Sequence, residues 1–325
     1  MKRVVLAVDL GGTNIRVAAI NEHGTIKKRV QRPTLAHEGE ASVLQSLLAA
    51  LEEVYQGFSE KQIQGVGVGI AGAIDIEKGI ITQSPNLVGF DGYPLRDKLQ
   101  TSFLKHLTIM TDNDANLAAM GEKWKGAGAG VNDLICLTLG TGIGSGIIIH
   151  GMLVHGADGM SGEAGHITVD PQGPRCNCGN RGCLEALASA TAIRREAIEA
   201  LRKHPESELH KRCHHDPETI TAEMVGQSAT AGDQTARKVF QDMGRYLGIG
   251  IASLINILNP EMVVLGGGVS KSWDMFFPFT KQEVQTRALK IPGQRVKIVP
   301  AVCGDDAGLL GAAYLVFSSP PTCLK

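Results

Sequence analysis

The chain has 325 residues, with 32 basic and 33 acidic side chains, so bulk charge gives it neither a nucleic-acid footprint nor a pull toward an anionic membrane surface. Hydrophobic residues make up 43%, aromatics only 4%, and 40 residues are glycine, which excludes a disordered or fibrous chain and fits an α/β protein rich in tight turns. The length exceeds what one hydrophobic core usually reaches, so two domains are expected, and no apolar run is long enough to span a bilayer.

The opening M-K-R-V-V-L-A-V-D-L is broken by Asp9 and a glycine pair before a signal-peptide core could form, so the pattern predicts a buried first strand over 4–9. A β-branched run over 15–20, a turn at 21–24 and a third run over 25–30 read as a meander opening a mixed sheet. Val43, Leu44, Leu47, Leu48 and Leu51 recur at helical spacing across 41–54. Residues 63–70 predict a buried strand ending in Ala71-Gly72, residues 107–110 a shorter one, and Asn113 opens a helix through Lys123.

The pattern then repeats. A strand over 134–139 leads through Gly140-Thr141-Gly142 into a strand over 147–150, which echoes the start and suggests duplicated α/β halves with a nucleotide between them. Helices are expected over 190–204, 221–227 and 233–258, with a polar break at 210–217. A strand over 262–265 ends in Gly266-Gly267-Gly268, a last strand covers 296–299, and a small-residue-rich helix covers 307–317. The flexible K-W-K-G-A-G-A-G around 121–130 marks the domain boundary, with the final helix crossing back onto the first domain.

Asp9-Leu10-Gly11-Gly12-Thr13-Asn14 places a carboxylate at a strand end before a sharp turn. Its backbone N–H groups can cradle phosphate oxygens while Asp9 reaches Mg²⁺, directly or through water. The same residues also suit a plain hairpin capped by Asp9. The glycines fit neither a P-loop nor a dinucleotide-binding fingerprint. Gly140-Thr141-Gly142 is the matching turn of the second half, and at Gly266-Gly267-Gly268 the missing side chains would let adenine or its ribose approach the backbone.

Asp114, in Asn113-Asp114-Ala115-Asn116, follows a strand and opens a helix, which stands its carboxylate at the mouth of a sheet cleft. There it can take a proton from a hydroxyl that attacks phosphorus. Any of Asp112, Asn113 and Asp114 could be the helix N-cap; with Asp112 in that role, Asp114 is left free.

His166, Cys176, Cys178 and Cys183 fall within eighteen residues, and soft thiolates plus an imidazole at that spacing suit a closed tetrahedral zinc site. Glu163 and Glu185 bracket it. Seven cysteines, an odd number with three clustered, point to reduced thiols and a cytoplasmic setting. The remaining histidines, among them His150, His155, His204 and His210, are given no role, and Cys213-His214-His215, in its polar break, reads as a solvated loop rather than a second metal site. Cys136 and Cys303 read as buried filler, and Cys323 as exposed near the tail.

Taken together, D-L-G-G-T-N at 9–14, S-P-N-L at 84–87, N-D-A-N at 113–116, L-G-T-G-I-G-S-G at 139–146, G-E-A-G-H at 162–166, C-N-C-G-N-R-G-C-L-E at 176–185 and L-G-G-G-V at 265–269 resemble the ROK family of sugar kinases and related repressors, within the actin-like ATPase superfamily. The resemblance implies a two-domain actin-like ATPase (ribonuclease H-like) fold with duplicated mixed-sheet cores and an interdomain cleft. It implies a first domain over 1–122 completed by 306–318, and a second over 123–305 carrying the zinc loop. Asp114 would be the general base. Asn86, Asn113, Glu163, His166 and Glu185 would hydrogen-bond sugar hydroxyls, with Gly72 lining the pocket. ATP with Mg²⁺ would lie against Asp9, Gly11, Gly12, Thr13, Asn14, Gly140, Thr141, Gly142, Gly266, Gly267 and Gly268. His166, Cys176, Cys178 and Cys183 would hold structural zinc, and the chain would form a homodimer.

The implied activity is ATP-dependent phosphorylation of a hexose, with the motif pattern nearest to the family's bacterial glucokinases and glucose 6-phosphate as product. N-acetylglucosamine, N-acetylmannosamine and fructose are alternative acceptors, and a sugar sensor without turnover is a further reading. Repressor members carry an added N-terminal helix-turn-helix domain. Here the first strand is expected at about residue 3 and the charge is balanced, so an enzyme without nucleic-acid or membrane partners is expected.

Overall fold

Valine and leucine on both faces of β1 (Val4–Leu10) suit a central strand, and all of it except Asp9 is buried. In the computed structural model, which describes residues 3–319, β1 pairs antiparallel with β2 (Asn14–Asn21) and parallel with β4 (Ile63–Ile70). With the outer strands β3 (Ile26–Pro33) and β7 (Ile109–Asn113) this makes a five-stranded sheet of order β3-β2-β1-β4-β7. A small hairpin of β5 (Ala73–Asp75) and β6 (Ile80–Gln83) stands off the end of β4.

The second sheet repeats the plan. β8 (Leu134–Leu139) and β9 (Ile143–Ile149) form the central hairpin, β10 (Met152–Leu153) borders β9, and β11 (Met262–Gly266) and β12 (Lys297–Pro300) add in parallel, in the order β10-β9-β8-β11-β12. Each sheet is therefore an antiparallel hairpin extended by parallel strands. Two such mixed α/β cores are present, each with its own cluster of buried side chains.

Helices α1 (Glu40–Tyr55) and α2 (Leu95–Gln100) serve the first core. The second is covered by α4 (Leu184–Ala188), α5 (Ala190–Lys203), α6 (Leu209–Arg212), α7 (Ala222–Ala231), the 25-residue α8 (Gln234–Leu258), α9 (Trp273–Arg287) and α10 (Lys290–Arg295). Between the sheets run α3 (Asp114–Lys125) and the last helix α11 (Ala307–Ser318), which share a core with β1 and β2 through Leu117, Leu309, Ala312 and Val316. Backbones touch here: a Cβ on Gly67 would lie 2.0 Å from Ala312 O, and one on Gly311 would lie 1.8 Å from Leu117 O. The small residues of the last helix are thus explained by close approach to β4 and α3 rather than by propensity.

The chain crosses between the lobes after α3 and again before α11, and Glu122 ties both crossings. It is 1% exposed, and its carboxylate accepts from Ala127 N at 2.8 Å, Val302 N at 3.0 Å and Cys303 N at 2.7 Å.

Several expectations are corrected. β9 begins at Ile143, not 147, because the Gly144 and Gly146 positions continue the ladder against β8. The strand expected at 107–110 runs instead over Ile109–Asn113, in register with β4. Helix α9 was not foreseen, since Pro278 lies inside it and should break it. Tertiary packing overrides that cost: Phe276 is fully buried, and Thr280 Oγ1 donates 2.8 Å to Gly244 O of α8. Within the expected polar break, α6 forms and Cys213 is fully buried in the second core, while His214 and His215 are exposed. Cys136 is buried, but Cys303 is only half-buried and points its thiol at Gly121 O. Cys323 lies outside the described residues.

Candidate active site

The carboxyl-terminal end of β1 and the start of α3, just after β7, face the corresponding end of β11 across a cleft of about 580 Å³. Asp9, the Gly11-Gly12-Thr13-Asn14 turn, Asp114, Gly266 and Gly267 all line it. The turn is held by Gly11 N to Asn14 O at 3.1 Å and by Thr34 N to Thr13 O at 2.9 Å. Gly12 packs directly on Asn86, where a Cβ would meet Asn86 Cβ at 2.9 Å. Gly140, Thr141, Gly142 and Gly268 are not on the cleft wall, although Thr138 is. Gly142 instead backs onto Glu185, whose Oε2 accepts from Ile143 N at 2.9 Å.

Asp114 is the first residue of α3. The N-cap is Asn113, not Asp112: Asn113 Oδ1 accepts from Ala115 N at 2.9 Å and Asn116 N at 3.2 Å. Asn113 Nδ2 donates to Gly72 O at 3.0 Å, which fixes the amide between the strand end and the Gly72 turn. Asp114 is therefore relieved of capping by its neighbour. Burial first, then the charge of Asp9 and more weakly that of Glu163, push its carboxyl up to about 7, against the pull of the Ala115 amide. A carboxyl poised there can accept a proton near neutral pH.

Asp9 is held by Arg16, whose other guanidinium nitrogen donates to Asp305 O at 2.8 Å. Arg16 occupies Asp9 Oδ2. Neither Arg16 nor Glu122 carries a motif signal that would have singled it out.

The imidazole and three thiols gather as the spacing predicts, with all four ligand atoms within 4.8 Å of one another. Cys178 Sγ and Cys183 Sγ are 3.7 Å apart, and Cys176 Sγ lies 3.7 Å from His166 Nδ1. Tetrahedral zinc with Zn–S bonds of about 2.3 Å needs sulfurs roughly 3.8 Å apart, so the set fits that ion. Burial pushes the Cys183 thiol up to about 12 and raises Cys176 too, so thiolates there call for a cation. With Nδ1 turned to the cysteines, His166 Nε2 points the other way and comes 4.0 Å from Glu163 Oε2.

Residues 5–319 match the family model described as ROK family. The chain belongs to the ROK family. It is 41% identical to a glucokinase of Halalkalibacterium halodurans over 97% of this chain and 95% of that one. It is 32% identical to a xylose repressor of Caldicellulosiruptor bescii, covering 97% of this chain and 78% of the repressor. Among solved structures it is similar to a ROK family glucokinase from Streptomyces griseus in complex with glucose and AMPPNP, with a TM-score of 0.84, 32% identity, and coverage of 97% of this chain and 100% of that one.

One residue pair of this ROK chain went unread in the sequence. His155, given no role by the sequence, sits 2.7 Å by Nε2 from Asp112 Oδ2, and Asp112 is 2% exposed. The partners are 43 positions apart, so no local spacing announces them.

Proposed function

We propose that this ROK protein phosphorylates glucose on its 6-hydroxyl with ATP, yielding glucose 6-phosphate and ADP. The observation that carries the reading is Asp114, a carboxyl raised to about 7 at the floor of a cleft bounded by the glycine turns of both sheets. The likeness to glucokinases, one of them solved with glucose and AMPPNP, supplies the substrate pair.

Asp114 accepts the proton of the sugar hydroxyl as its oxygen attacks the γ-phosphorus, and the bond to the β-phosphate oxygen breaks toward ADP. The backbone of the Gly11–Asn14 turn positions phosphate oxygens, and Gly266 and Gly267 leave room for the nucleoside. Magnesium, when bound with ATP, neutralises phosphate charge, and Asp9 would hold it. Glu163, His166 Nε2, Glu185, Asn86 and Asn113 take the sugar hydroxyls, beside Gly72. Zinc, when bound by His166, Cys176, Cys178 and Cys183, fixes the His166 tautomer, so that Nε2 carries the proton offered to the sugar.

The same reading takes the fold as actin-like, with one domain over 1–122 completed by 306–318 and another over 123–305. It takes the protein as a cytoplasmic homodimer; no described helix is long and apolar enough to cross a membrane. Comparing kcat/KM for glucose, N-acetylglucosamine, N-acetylmannosamine, mannose and fructose tests the substrate. A site built around the 2-hydroxyl discriminates against an acetamide there, so glucose should lead. An N-acetyl sugar exceeding glucose would leave a hexosamine kinase in place of a glucokinase, and absence of turnover on every sugar would overturn the kinase.

A further inference from the structure

Residues 154–163 leave β10 of the second sheet, turn through Gly156, Gly159 and Gly162, all at positive φ, and deliver Glu163. Along the way this loop touches the first lobe twice. A Cβ on Gly159 would come 2.9 Å from Ile74 O of β5, and His155 Nε2 meets Asp112 Oδ2 of β7. Asp112 is otherwise fully engaged: its Oδ1 accepts from Asn113 N at 2.7 Å and from Asn116 Nδ2 at 2.9 Å. Asn116 Oδ1, buried without a partner, lies 3.9 Å from where a Cβ would stand on Gly162. Asp112 thus joins the residue that caps α3 to a histidine from the opposite lobe.

We propose that His155 and Asp112 form a latch that seats the loop carrying Glu163 and His166 against the strand end carrying Asn113 and Asp114, making His155 a positioning residue for the sugar. A hydrogen bond to a buried carboxylate is among the stronger single contacts available, and here it spans the two halves of the sugar pocket. The hydrogen bond to the Asp112 carboxylate raises the His155 pKa and so favours a charged imidazole, while burial opposes it. The inference rests on the kinase reading for its kinetic arm only.

The test compares wild type with His155→Ala, His155→Gln and Asp112→Asn, in steady-state kinetics and in amide hydrogen exchange of residues 154–163. In His155→Ala the KM for glucose should rise roughly tenfold, the loss expected for one charge-assisted bond. KM for ATP should stay within about twofold of wild type, and exchange across the loop should speed up without matching change in the second core. His155→Gln places an amide donor where Nε2 stood and should recover most of the glucose KM. Asp112→Asn keeps an acceptor for Asn113 and Asn116 and serves where the alanine variant folds poorly; it too should raise the glucose KM. Unchanged loop exchange in His155→Ala, or equal rises in both KM values without rescue by glutamine, would overturn the latch. If wild type turned over no sugar, the kinase reading would fall, while loop exchange would still decide the latch.

Discussion

Replacing Asp114 with asparagine separates its charge from its shape. The amide keeps an oxygen for Ala115 N, which is 2.8 Å from Asp114 Oδ1, and Asn113 still caps α3. As base, Asp114 should supply at least roughly a hundredfold in kcat, so that much turnover should be lost while glucose still binds. Stability should move the other way. The folded carboxyl titrates at about 7 against 3.8 unfolded, so the folded protein binds the extra proton and loses stability as pH rises between those values. Fully expressed, the shift costs the ligand-free protein about 4 kcal/mol above pH 7, and asparagine removes that cost. Between pH 5 and 8.5 the stability advantage of the variant should therefore grow by about 2–3 kcal/mol. Urea unfolding of both proteins at both pH values measures it, since other titrating groups cancel in the double difference. A variant with near-normal turnover would refute the base, and an advantage that did not grow with pH would refute the buried-charge argument.

Other outcomes follow from the same geometry. The kcat/KM for glucose should fall about tenfold per pH unit below 7, as the Asp114 base becomes protonated, and a pH profile flat from 5 to 8 would contradict this. Protein purified without chelator should carry one zinc per chain by elemental analysis, and its removal should weaken glucose binding in calorimetry before it lowers Tm of the main transition. Glu122→Ala would leave the Ala127, Val302 and Cys303 amides without their shared acceptor and should cost about 3 kcal/mol in denaturant unfolding; a cost under about 1 kcal/mol would mean the crossings do not depend on it. Gly311→Val should destabilise by more than about 3 kcal/mol, because its Cβ would fall on the Leu117 carbonyl, and wild-type Tm would show the last helix to be less tightly packed than described.

Local chemistry was enough to read the meander, the glycine turns, Asp114 at a strand-to-helix junction and the His-Cys loop. Those features live in spacings of a few residues: β-branched runs, turn residues and ligands that close a short loop. The duplication of the two halves showed as an echo of those runs, while the parallel addition of β4, β7, β11 and β12 to each hairpin is set by the fold. What stayed hidden was decided by residues far apart in the chain. Helix α9 forms over Pro278 because α8 offers its Thr280 a carbonyl, and no helix propensity contains that neighbour. Asn113 rather than Asp112 caps α3, and Asp112 instead meets His155, 43 positions on. Glu122 looked like an ordinary helical glutamate until Val302 and Cys303, some 180 positions later, brought their amides to it. A buried charge takes its role from whichever donors the fold assembles around it, and that assembly is a property of the tertiary structure.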